Sequence, residues 1–125
     1  MKKEIAFAWA DDLESGLFEQ GKTSLRSEDN KFCCLGVLGE RAAREGIISE
    51  PIIQGGVGQS RYIYDGLRTA VPKKILQWSG LKDSMGDLQH TNEYSKYANL
   101  AEANDSAKLS FKQIAKIIRE NWEKI

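Results

Sequence analysis

Apolar positions Ile5, Trp9 and Leu13 recur at four-residue spacing near the start of the chain, with Ala6 and Ala10 beside them, which places one stripe on a helix. Gly16 is positioned to end that helix in a left-handed cap. The helical period returns from Cys34 through Leu35, Leu38 and Ala42, with Val37 alongside, and runs to Gly46. Pro72 and Gly80 bracket a short third helix with Ile75, Leu76 and Trp78 available for burial. The stretch "YANLAEAND" reads as another short helix. The last helix is the most sharply marked, because Ser110 and Gln113 make a capping box while Leu109 and Ile114 hold the two staple positions around it. Its apolar face is Phe111, Ile114, Ile118, Trp122 and Ile125, with Ala115 and Ile117 at the flank.

Between the helices the pattern turns to short β-prone runs. The turn chemistry of "SEDN" predicts a hairpin of Thr23 to Arg26 with Lys31 to Cys33. The segment "IISEPIIQGGVGQSRYIYDG" is glycine-rich in the middle and β-prone at Arg61 to Tyr64, which predicts a mobile loop leading into a strand. Asp87 to Thr91 admits a further short strand. These elements predict an α+β fold, a single domain over residues 1–125. Its N-terminal and C-terminal amphipathic helices pack with short central helices on a small antiparallel sheet, and Trp9 and Trp78 lie in the core.

Composition agrees with one ordinary domain: 125 residues, 41% hydrophobic and 29% charged, enough to bury roughly two thirds of the unfolded surface. Lys plus Arg equals Asp plus Glu at 18 each, so the chain has no overall field to hold a polyanion, and nucleic acid is not the leading partner. The start "MKKEIAFAWADDLE" is broken by acidic residues after about six apolar-prone positions, short of a signal peptide, which predicts a cytoplasmic protein with no membrane partner.

The stretch "NKFCCLGVLG" raises the main chemical question, since Cys33 and Cys34 sit side by side at a strand-to-helix junction. A thiol at a helix N-terminus has its thiolate favoured by the helix dipole, so a cysteine-dependent hydrolase or transferase is one reading. Its catalytic set would be Cys34 or Cys33 with His90, the single histidine, and Asn104 or Asp105, with Gln20 as an oxyanion donor. Packing is the favoured alternative, because free cysteine is among the most buried residue types. Three Cys and His residues fall short of the four ligands of a structural zinc site, and no metal or cofactor is expected. The loop "GGVG" lacks the lysine, hydroxyl and following helix of a phosphate-binding P-loop. "LAEANDSAKLSFKQIAKII" is similar to the first two helices of a helix-turn-helix, which leaves a DNA-binding accessory as a third reading.

Taken together, "WADDLESGLFEQGKTSLR", "FCCLGVLGE", "ILQWSGL" and "LAEANDSAKLSFKQIAKIIREN" resemble a family of small proteins encoded mostly by tailed bacteriophages. The resemblance spans nearly the whole chain and implies a phage origin and an α+β fold; it brings no activity with it. Gly39 stands where that family commonly has a further cysteine after "CCLGVL", and Ala107 where it commonly has glycine after "ND".

The function expected from these readings is that of a phage-encoded accessory protein that binds a host protein or a small molecule without catalysis, for example as a host-takeover or counter-defence inhibitor in the infected cell's cytoplasm. The binding surface is expected on Gln20 and Gly21 together with Gln54, Gly55, Gly56, Arg61, Tyr62 and Tyr64, polar and glycine-bearing segments beside rigid elements. Strand alternation puts the two tyrosines on one face and Arg61 on the other.

Overall fold

In the computed structural model, which describes all 125 residues, the N-terminal stripe forms α1 (Lys3–Glu14) with Ala6, Trp9, Ala10 and Leu13 buried. Gly16 follows its end with φ +77°, the left-handed conformation that lets the chain leave the helix. Strands β1 (Glu19–Gln20) and β2 (Lys31–Phe32) pair in parallel and lead into α2 (Cys34–Arg44). That helix closes in a Schellman motif, the Gly46 N–H donating to the Ala43 carbonyl and the Ile47 N–H to the Ala42 carbonyl.

Strands β3 (Ile52–Gln54) and β4 (Arg61–Ile63) form a separate antiparallel pair. Helix α3 (Lys73–Ser79) runs between Pro72 and a left-handed Gly80. A short 3-10 turn (Asn92–Tyr94) precedes α4 (Leu100–Asp105) and α5 (Phe111–Asn121), and α5 carries the expected capping box. The fold is α+β, built from five helices and two small ladders.

The core joins both ends of the chain. Helix α1 lies along α5, whose Ile114, Ile117 and Ile118 are fully buried, and α2 also packs on α1. Each such aliphatic side chain removed from water contributes about 1.5–3 kcal/mol. Acids of α1 fix both neighbours: the Arg41 guanidinium donates to both carboxylate oxygens of Asp12, at 2.6 and 3.0 Å, and Arg119 of α5 bridges Asp11 and Glu14.

Four local expectations differ from the structure. The hairpin of Thr23–Arg26 with Lys31–Cys33 narrows to a single Arg26–Phe32 bridge, because Thr23 turns into φ +72° and breaks the extended run a ladder requires. The small antiparallel sheet divides into two ladders, of which the one at β2 is parallel. Asp87 to Thr91 contributes one bridge, Asp87 to Asn99, and no strand. Trp9 is fully buried, whereas Trp78 is only half-buried because Ile75 takes the inward position of the short α3.

Close backbone packing sets the position of α2. A Cβ on Gly36 would lie 1.7 Å from the Leu25 carbonyl oxygen, and one on Gly39 would meet the Tyr64 ring at 3.0 Å. Gly36→Ala is therefore expected to cost about 3 kcal/mol or more by overpacking, seen as a large drop in the urea midpoint. Gly56→Ala, where an added Cβ meets nothing within 4 Å, serves as the control and changes little. A Gly36→Ala midpoint equal to that of the wild type would contradict the packing.

Candidate binding cleft

Helix α2 starts without help from its own N-cap, since the Cys33 side chain makes no capping bond and the first N–H groups of a helix have no partner within it. The Cys34 N–H donates instead to Asn104 Oδ1 at 3.2 Å. Asn104 uses every hydrogen-bonding position of its amide. Its Oδ1 also accepts from Gln20 Nε2 at 2.9 Å, while its Nδ2 donates to the Gly21 carbonyl at 2.9 Å and to Asp105 Oδ1 at 2.8 Å. Gln20 Nε2 donates a second bond to the Leu109 carbonyl at 2.8 Å. The buried Asn104 amide thus joins β1 and the start of α2 to α4, and Gln20 carries the tie on to the α4–α5 turn.

Gln20, Gly21, Asn104 and Asp105 line a cleft of about 550 Å³, to which Lys22, Lys31 and Lys108 add ammonium groups and Ser27 a hydroxyl. No apolar side chain lines it. Lys31 is shared with Glu19 at 3.9 Å and Asp29 at 3.8 Å, whereas Lys22 and Lys108 have no carboxylate within 4.0 Å. Gln20 Oε1 and Asp105 Oδ2 accept no hydrogen bond from the protein and remain open as acceptors.

The backbone beside this cleft is strained. The Ser24 N–H donates to the Lys22 carbonyl at 3.0 Å around Thr23 at φ +72°, a γ-turn of the rare positive-φ kind on a β-branched residue. Lys108 is also left-handed, at φ +56°. Conformations of this kind cost about 1–3 kcal/mol each and persist where surrounding structure holds them. The Gln20–Leu109 bond and the Leu109 N–H to the Ala103 carbonyl hold the second of them.

An adjoining depression of about 500 Å³ shares Lys22 and Ser27 with the cleft and adds Ser24, Gly58 and Arg61, beside Glu28 and Asp29. Gln20, Gly21 and Arg61 therefore sit on neighbouring concave surfaces. Gln54, Gly55 and Gly56 are exposed and line neither depression. Tyr62 lies elsewhere, its ring 3.8 Å from the Arg26 guanidinium in a smaller depression with Glu40 and Pro51. Tyr64 is a correction: it is fully buried, because Gly39 leaves room for its ring and Glu40 accepts its hydroxyl at 2.9 Å, so it offers no binding surface.

Sequence reasoning missed Lys22, Ser27, Lys31 and Lys108 as cleft residues. It weighed Asn104 as a catalytic orienting group, while its buried position was readable, since Asn104 stands four residues after Leu100 on the apolar stripe of α4.

A family model described as "Domain of unknown function (DUF8296)" matches residues 1–122. The chain belongs to the DUF8296 family. No curated protein and no solved structure matches it.

In this DUF8296 chain the two cysteines are buried, free thiols. The Cys34 carbonyl accepts from Trp9 Nε1 at 2.8 Å, and Cys34 Sγ donates weakly to the Leu100 carbonyl at 3.6 Å. Burial pushes the Cys33 thiol up to about 12 and the Cys34 thiol well above its ordinary value. His90 is exposed, and no histidine bonds to either sulfur. Of the residues in the hydrolase reading, Gln20, Asp105 and Cys34 all meet Asn104, but Cys34 does so through its backbone N–H; the thiol takes no part. Arg119 of α5, on the helix compared with a helix-turn-helix, is tied to the acids of α1. No helix is long and apolar enough to cross a membrane.

Two outcomes follow from this geometry. Asn104→Ala is expected to cost about 3 kcal/mol in chemical denaturation, since it strands the Cys34 N–H and the Gly21 carbonyl; a loss below about 1 kcal/mol would refute the joint. The thiols add a pH dependence. Their folded values are raised, so the unfolded chain gives up these protons first. The contribution is retained below about pH 8.5 and lost as pH rises from there toward the folded value of about 12 for Cys33. Cys33→Ala is expected to make the alkaline fall in stability shallower; an unchanged slope would mean that the thiol titrates as in water.

Proposed function

We propose that this chain is a binding protein whose working surface is the polar cleft at the Gln20–Asn104 joint, and that it takes a small molecule there without chemistry of its own. What supports the reading is the saturated Asn104 amide. It locks three separate stretches of chain around a concave surface before any ligand arrives, so little ordering remains to oppose binding. The cleft is within the size range of small-molecule sites and is lined by groups that recognise polar ligands. Both buried thiols lie outside its lining, so neither cysteine faces a ligand there. The setting in this proposal is the one the phage resemblance implies, an accessory protein acting in the cytoplasm of an infected host cell, with a host metabolite as its partner.

The test is amide chemical-shift mapping of the labelled protein against a panel of polar metabolites and the small-molecule fraction of a bacterial lysate. Shifts are expected at residues 20–22, 27, 31 and 104–108. Shifts confined to other surfaces, such as the Tyr62 depression, or none across the panel, would refute the cleft as the working surface.

A further inference from the structure

The chemistry of the cleft defines its ligand more narrowly, in an inference that rests on the binding reading above. Two ammonium groups, Lys22 and Lys108, line it without a carboxylate partner within 4.0 Å, so neither is already held in an ion pair when an anion arrives. Lys31 is a weaker third, already shared between Glu19 and Asp29. The planar fork of arginine, which matches carboxylates pairwise, is absent from this lining; compact ammonium charges suit a phosphate, which carries about −1.5 to −2 at neutral pH.

The other free groups are of opposite kind. Gln20 Oε1 and Asp105 Oδ2 are acceptors without internal donors, and they call for hydroxyl or N–H groups on the ligand. The lack of any apolar or aromatic lining residue excludes a stacked base or an alkyl chain as the main anchor. The strained turn at Thr23 and the left-handed Lys108 place both free lysines on backbone that tight bonding holds in unfavourable conformations. Strain of this kind concentrates at ligand clamps.

We propose that the cleft binds a phosphorylated polyol of the sugar-phosphate class, its phosphate between Lys22 and Lys108 and its hydroxyls on Gln20 Oε1 and Asp105. Lys22 also faces the adjoining depression with Arg61, which gives a longer ligand room for a second anionic group.

The experiment titrates the full chain at low salt with glucose 6-phosphate, ribose 5-phosphate and glycerol 3-phosphate. Glucose and inorganic phosphate are run in parallel, all read by calorimetry and amide shifts. At least one phosphorylated polyol is expected to bind at least tenfold more tightly than either glucose or phosphate. Its affinity should fall as salt rises and should fall at least fivefold in each of Lys22→Gln and Lys108→Gln. Lys96→Gln, outside the cleft, is the control and stays unchanged. Asp105→Asn should weaken the phosphorylated polyol without weakening the binding of inorganic phosphate, which loses a repelling charge, a split that a purely structural role for Asp105 would not give. Equal binding of inorganic phosphate would overturn the polyol half of the proposal, and equal binding of glucose would overturn the anionic half. Absence of binding by all three phosphorylated probes would overturn the whole. None of these outcomes decides the broader binding reading, which the metabolite panel tests without regard to charge.

Discussion

The fold turns on one buried amide. Asn104 accepts from the Cys34 N–H, which α2 cannot satisfy itself, and the same side chain holds Gln20, Gly21 and Asp105. A buried polar group with all four bonds made is a specific fastener, whereas one with a bond missing is a liability of about 1–3 kcal/mol. Trp9 reinforces the joint from the other side by donating to the Cys34 carbonyl, so the residue after Cys33 is gripped through both its N–H and its C=O. This explains the adjacent cysteines: the junction is crowded on all sides and takes small, weakly polar side chains. Its backbone groups form the bonds, and neither sulfur faces water.

The cleft is a consequence of that joint. Drawing β1 toward the α4–α5 turn places Lys22 and Lys108 on one cleft, and the close approach of Gly36 to Leu25 fixes the loop that carries Ser24 and Ser27. The cost appears as left-handed backbone at Thr23 and Lys108, in residues that do not favour it. Stability and site are therefore built from the same bonds.

Much of the architecture was legible because its signals are local. The capping box at Ser110, the left-handed Gly16, Gly46 and Gly80, and the helical stripes each depend on a few consecutive residues, and each is found where the pattern predicts it except that Ile5, Trp78 and Trp122 are only half-buried. The parallel pairing of Glu19–Gln20 with Lys31–Phe32 was not legible, since two-residue strands have no period to read. The cleft was legible in part. Gln20 and Gly21 stood out by composition, but Asn104 meets Cys34 across 70 positions and Gln20 across 84, separations that no local pattern encodes. Tyr64 illustrates the converse: a tyrosine beside arginine suits a binding surface, and only the space left by Gly39 shows that its ring belongs to the core.

The central claim is that Asn104 fastens the start of α2 from across the sequence, and amide hydrogen exchange at Cys34 tests it most directly. A first-turn helix N–H without a partner exchanges rapidly, so the Cys34 amide is expected to exchange only as the whole domain opens, with a free energy close to that of global unfolding. Exchange at Cys34 as fast as at the exposed loop amides near Gly56 would show that the bond to Asn104 does not persist, and would contradict the account.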